Sequence, residues 1–299
     1  MSKKNRIIVF FSVLIAFVAV GFSGNVFAES FGVCLVSNED ELKRAVSYAV
    51  GYDCIKLRNN VEIGSNLYID KSLIIDLNGN CIYLSDPNSS ILVGKKEFSH
   101  RTSREVWSPK LAPHYYVDRE GKWHTKYKWD FLEIRTEYED VYKYYDEIEV
   151  KVKNGTIKHT SGTNGRDGVN DTWRNCDGKD GEKPSEVMRV ISGTVKLYDV
   201  VVYGGKGGNG GDGKSQALLH IPFAGGKAGN GGKGGNGGDV INLTRKGCSV
   251  VLCGEETLLV PGEGGKGGKR GLKNANYWVY SGRNGKDGKD GEKGVDIIK

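Results

Sequence analysis

The feature that most restricts how this chain can fold is a run of glycine triplets. It reads GGKGGNGGD at 204–212, GGKAGNGGKGGNGGD at 225–239, GGKGGK at 264–269 and GRNGKDGKDGEK at 282–293, with shorter copies GTNGRD at 162–167 and GKDGEK at 178–183. Of 44 glycines, 35 lie from Gly162 onward, so this half has few side chains with which to build an apolar core. Period three is the repeat of polyproline II and of collagen. No triplet here contains proline and the longest run is five triplets, which argues against a collagen triple helix. Glycine-rich chains are more usually flexible linkers. Ordering the fifteen residues 225–239 costs about 15–30 kcal/mol of backbone entropy, and only near-complete hydrogen bonding of the backbone offsets that. One isolated polyproline II strand has no internal hydrogen bonds. Several segments packed together can supply them, with glycine at the contacts and the third residue, nearly always Lys, Asn or Asp, turned to solvent. Polyglycine II-like packing and flexible loops are therefore the two readings, and the chain's several copies favour the first.

The chain opens MSKKNRIIVFFSVLIAFVAVGFSGNVFAES, with Lys3, Lys4 and Arg6 before an apolar run from Ile7 to Val20 and a small-residue site ending at Ala28. This is the pattern of a secretory signal peptide over 1–28; the run is short for a membrane anchor. The expectation is a secreted or cell-surface protein that is not integral to the membrane. The mature chain retains 40 basic and 37 acidic residues, too small a bias to suggest nucleic acid. All six cysteines survive cleavage, an even number compatible with disulfides in an exported chain.

The first half is patterned as short strands. Leu42, Ala45, Val46 and Ala49 recur at helical spacing in EDELKRAVSYAV, predicting a short amphipathic helix. After it come runs of three to five apolar residues broken by Asn, Gly, Asp and Ser, predicting strands and turns. CIKL at 54–57 returns as CIYL at 81–84. If these are one strand in successive coils, Ile55 and Leu57 stack on Ile82 and Leu84. Cys54 and Cys81 then become neighbours about 4.8 Å apart, within reach of a disulfide.

The segment LKRAVSYAVGYDCIKLRNNVEIGSNLYIDKSLIIDLNGNCIYL, with VKVKNGTIKHTSG and GTVKLYDVVVYGG, resembles the start of a right-handed parallel β-helix of the pectin lyase-like superfamily. That resemblance implies an all-β solenoid with an N-terminal capping helix. Its coils run through 29–161, interrupted by an aromatic-rich insertion at 93–147, and continue through 162–299 interleaved with the glycine segments. The fold hosts lyases, hydrolases, adhesins and inert scaffolds, so it does not decide activity.

Enzymes of this superfamily carry carboxylate clusters or paired aspartates. The chain lacks the Asn-Thr-Asp, Asp-Asp, Gly-His-Gly and Arg-x-Lys set of polygalacturonases, and the Trp-x-Asp-His and Arg-x-Pro-x-x-Arg segments of pectate lyases. Asp76, Arg189, Lys196 and Asp199 remain as charged residues on or beside strands, and solvated or turn-forming roles suit them. No catalytic residue is nominated. GGNGGDVIN at 234–242 fits a calcium-binding nonapeptide with Asp239 as the acid. The tandem copy that would complete such a site is missing, so no cofactor is expected.

The insertion is the richest segment. From Trp107 to Tyr145 it holds 11 of the chain's 29 aromatics, and HYYVDREGKWHTKYKW reads as a hairpin turning at Arg119-Glu120-Gly121. Its aromatics either pack over the side of the coil or form a binding surface for an extracellular glycan or protein, with Trp107, Tyr116, Trp123, Tyr127 and Trp129 as candidates. The reading from sequence is a non-catalytic surface or matrix interaction protein, adhesin-like. A polysaccharide lyase or glycoside hydrolase is the alternative, and a structural spacer or coat protein the third.

Overall fold

A computed structural model describes residues 32–49, 54–169, 176–214, 228–272 and 284–299, with the backbone alone for 106–112 and 127–135. The segment 1–28, expected to be a signal peptide, lies outside the described residues, as do the first glycines of the 225–239 and 282–293 runs.

The one helix of the described residues is α1, Glu39–Tyr48, which follows strand β1, Val33–Val36. Asn38 caps it: its side-chain oxygen accepts the Glu41 N–H at 3.0 Å, and the Glu41 carboxylate accepts the Ser37 N–H at 2.7 Å. Glu39, Asp40 and Glu41 place negative charge at the positive end of the helix dipole. Leu42, Ala45 and Val46 are buried, as their spacing predicts.

Every strand but two belongs to parallel sheets. The larger sheet contains β1, β2 (Cys54–Leu57), β3 (Val61–Ile63), β5 (Leu73–Asp76), β6 (Cys81–Leu84), β10 (Glu149–His159), β12 (Thr194–Tyr203), β14 (Ser249–Cys253) and β15 (Leu258–Val260). The smaller contains β4 (Leu67–Ile69), β7 (Ile91–Val93), β11 (Met188–Val190), β13 (Ile241–Leu243) and β16 (Ile297–Ile298). The chain crosses one sheet, then the other, and returns in the same direction. Period two therefore aligns apolar residues into columns. Leu67, Ile91, Met188 and Ile241 form one, and Val61, Ile82, Ile157 and Val202 another, all at most 2% exposed.

These registers correct the alignment suggested by CIKL and CIYL. Ile55 lies beside Ile75 and Ile82 beside Val61, so β2 stacks on β5 and β6 on β3. Cys54 faces Ile74 and Cys81 faces Thr156. Both are free thiols, and burial pushes each thiol's pKa up. The repeat misleads because one pass through the larger sheet uses two short strands, and the two cysteines open different halves.

The bend between those halves falls at the same place on successive passes. Asn78, Asn154 and Asp199 adopt left-handed backbone there, with φ of 53°, 59° and 52°. Asn and Asp tolerate that conformation better than other side chains. Buried Asp76 secures the bend by accepting the Asn78 N–H at 3.0 Å and the Asn154 side-chain amide at 3.1 Å.

The glycine triplets form an ordered slab. Six segments, I (161–169), II (176–184), III (204–214), IV (228–239), V (261–272) and VI (284–294), leave the sheets in pairs after β10, β12 and β15. Segments I, III and V run parallel in one layer and II, IV and VI in the other. Gly162 donates to the Lys206 carbonyl at 2.7 Å and Gly207 to that of Glu263 at 2.8 Å, both within a layer. A second set zigzags between layers. The Glu182 N–H donates to Thr163, Gly208 to Glu182, Gly235 to Gly208, Gly265 to Gly235 and Gly291 to Gly265, at 2.8–2.9 Å throughout. One relay of carbonyls and amides thus crosses all six segments. The third residues complete the set: Asn209 accepts the Lys266 N–H at 2.9 Å and itself donates its N–H to Asn164 at 2.8 Å, while Asp167 and Asp212 repeat the pattern beside them.

Close approach explains which positions are glycine. A Cβ on Gly207 would sit 1.9 Å from the Gly235 carbonyl oxygen in the next segment, and one on Gly232 2.0 Å from that of Lys179, two segments back. No described segment lies two segments behind I and II, and there the equivalent positions are Thr163, Arg166, Lys179 and Glu182. No described segment packs after VI, and its first positions include Asp287 and Asp290.

Candidate binding site on the hairpin

Strands β8 (Lys96–Val117) and β9 (Trp123–Tyr144) pair antiparallel as a separate ribbon. At its base, the Ser192 hydroxyl accepts the Lys95 N–H at 2.9 Å and donates to the Lys95 carbonyl at 3.0 Å, while Arg245 pairs with Asp146 and covers the Tyr144 ring. The stem is held by ion pairs directly across the strands, Arg101 with Asp140 at 2.6 Å and Arg104 with Glu137 at 2.9 Å.

At the tip the turn is built by Asp118. Its carboxylate accepts the Glu120 N–H at 3.0 Å and the Lys122 N–H at 2.9 Å, and its other oxygen meets His124 Nε2 at 2.6 Å. Gly121 takes φ of +83°, which a side chain resists. The Lys122 N–H, followed by His124, holds the Asp118 carboxyl below its ordinary range.

Cross-strand register sorts the tip into two faces. Tyr115 lies opposite Thr125, Val117 opposite Trp123 and Pro113 opposite Tyr127. These share one face, on which Pro113, Tyr115, Val117 and Trp123 are exposed, Trp123 by 71%. Leu111 and Trp129 continue the face by register, whereas Trp107, opposite Ile134, lies beyond the irregularity between Ser108 and Lys110 that interrupts the alternation. The side chains of Trp107, Tyr127 and Trp129 lie outside the described residues. The opposite face carries His114 beside Lys126 and Tyr116 beside His124, with the Tyr116 and His124 rings stacked at 5.4 Å. Three of the five candidate aromatics, Trp123, Tyr127 and Trp129, therefore share a face by backbone register, Tyr116 belongs to the other, and Trp107 lies beyond the register shift. Tyr115, Pro113 and Val117 went unnominated, although counting by twos back from Trp123 across the turn reaches them. The exposure of Trp123, Tyr115, Tyr116 and Tyr138 also shows that these aromatics do not pack over the side of the sheets.

The charged residues left over by the sequence have structural partners. Asp76 secures a bend, Arg189 pairs with Glu186, Lys196 pairs with Glu149, and the Asp199 N–H donates to Thr257 at 2.8 Å. Asp239 is 5% exposed; one carboxylate oxygen accepts the Val295 N–H at 2.9 Å and the other pairs with Lys183. It is the last rung of the Asn/Asp ladder, where the slab meets the sheets. No group of three or more metal-ligating side chains occurs among the described residues. An open groove of about 810 Å³ runs along the bends, lined in part by Asn154, Thr156, Asp199, Glu255 and Glu256. None of the helices in the described residues is long and apolar enough to cross a membrane. Set against known protein families, curated proteins and solved structures, the chain matches none.

Proposed function

We propose that this is an exported, adhesin-like interaction protein. In this reading the parallel sheets are a right-handed β-helix capped by α1, the slab is polyglycine II, and the hairpin engages an extracellular glycan or protein ligand. The observation that carries it is that Pro113, Tyr115, Val117 and Trp123 share one exposed face of a ribbon that pairs separately from the parallel sheets. Aromatic side chains offer large contact area at small entropic cost, and they concentrate at interface hot spots.

The test is retention of residues 29–299 on glycan and matrix arrays, beside Trp123→Ala and Tyr116→Ala. The reading expects Trp123→Ala to weaken retention at least about tenfold, as loss of an aromatic anchor does. Tyr116→Ala, on the opposite face, should stay within about threefold. Equal loss in both variants, or retention unchanged by either, overturns the placement of the site.

A further inference from the structure

The two ends of the parallel sheets are finished differently. At the first end α1 lies against β1 to β4, burying Leu42 and Val46 there. At the other end no element of the described residues covers the apolar columns. Ile55, Ile75, Val152 and Leu197 form one column and are 1%, 1%, 2% and 0% exposed, while Leu252, which continues it, is 47% exposed. Val250 continues the column of Leu73, Val150 and Val195, all three fully buried, and is itself half-buried.

Terminal strands in soluble proteins are usually blunted by lysine, proline or a covering element, because an open edge pairs with other chains. β14 reads Ser-Val-Val-Leu-Cys, with neither charge nor proline. Its corners, in contrast, are charged with opposite sign: exposed Lys246 precedes it and exposed Glu255 and Glu256 follow it.

We propose that this end docks a second copy of the same chain, through antiparallel pairing of β14 with the partner's β14 about a two-fold axis at Val251. That register sets Val250 beside the partner's Leu252 and Leu252 beside the partner's Val250, so the exposed columns of the two copies continue into each other. The same register brings the Lys246 corner of each copy to the partner's Glu255 and Glu256. Apolar residues and charges are thus both self-complementary under one operation, as a two-fold interface requires. Because α1 occupies the other end, the contact closes as a dimer and does not propagate into a filament. The proposal does not rest on the hairpin or its ligand.

Sedimentation velocity of residues 29–299 over about 1–100 µM tests it, a range that spans ordinary protein dimer affinities. The expected result is a concentration-dependent species of twice the monomer mass. Leu252→Lys should abolish it with an unchanged far-ultraviolet circular dichroism spectrum. Lys246→Glu should weaken it roughly fivefold, and adding Glu255→Lys and Glu256→Lys should restore it, as rim charges do when reversed together. Val251→Cys should give a disulfide-linked dimer on mild oxidation, since residues facing across an antiparallel pair lie close enough to bridge. A monomer at every concentration overturns the proposal. So does a dimer untouched by both Leu252→Lys and Lys246→Glu, which would place the contact elsewhere.

Discussion

The sheets and the glycine slab solve the same problem with opposite materials. In the sheets, residues such as Ile75, Val152 and Leu197 fill the interior, and the backbone ladder follows from their alternation. In the slab the interior contains almost nothing but main chain, and order rests on hydrogen bonds in three directions: within a layer, between layers, and from Asn and Asp side chains to the remaining N–H groups. The contrast shows that absence of side chains is itself structural information when it recurs at a fixed period. Apolar packing tolerates substitutions of similar volume, whereas a carbonyl oxygen 2.0 Å from a would-be Cβ tolerates none.

The sharpest way to break the comparison is Gly232→Val together with Gly235→Val, whose added atoms would meet the carbonyls of Lys179 and Glu182 at 2.0 and 2.3 Å. The expected loss exceeds about 4 kcal/mol, the range of severe backbone disruption, read as a fall in Tm. Lys179→Val with Glu182→Val makes the same change where no described segment lies behind, and should stay within about 1 kcal/mol. Equal effects would refute the six-segment packing. Next comes Leu197→Ala in the sheets, expected to cost about 2–5 kcal/mol in denaturant unfolding. Asn209→Ala removes one acceptor from the ladder and leaves the Lys266 N–H unpartnered, for about 0.5–1.5 kcal/mol. Lys266→Ala, whose side chain is not part of the ladder, should cost less.

The smallest expected effect is that of acid. The Asp212 N–H, then Lys214, hold the Asp167 carboxyl below its ordinary range. A depressed carboxyl stabilises the fold above its unfolded pKa, near 4, and loses that contribution as pH falls through the folded value. The protection factor of the Asp212 amide, its exchange rate corrected for the intrinsic slowing at lower pH, should therefore fall on acidification relative to amides of β12. Asp167→Asn, which retains the acceptor oxygen, should remove the pH dependence while preserving protection.

Much of the architecture was legible in the sequence because it is written in periods. Period 3.6 in Leu42, Ala45 and Val46 gave the helix, period two in VEI and LYI gave buried-exposed-buried strands, and period three gave the slab. The CIKL and CIYL repeat does not give the strand register, because strand identity in a parallel stack depends on which half of the sheet a segment occupies, and residue similarity does not encode that. At the hairpin, aromatic density located the candidate site. Membership of a face depends on the register across Asp118–Lys122, so Tyr116 was grouped with residues on the other side of the ribbon. Which glycines face which segment was legible only in hindsight: Thr163 and Glu182 mark an edge of the slab, but an edge exists only once the neighbours are placed.

The slab's composition also fixes how it responds to temperature. Unfolding the sheets exposes apolar columns to water and raises the heat capacity, whereas unfolding the slab exposes chiefly peptide groups, whose hydration lowers it. The sheets therefore have a domed stability curve that weakens in the cold as the hydrophobic contribution fades. The slab, held by amide-to-carbonyl relays such as Thr163 to Gly291, has no such apolar contribution to lose on cooling. Within one chain, the slab is thus the part expected to weaken least on cooling.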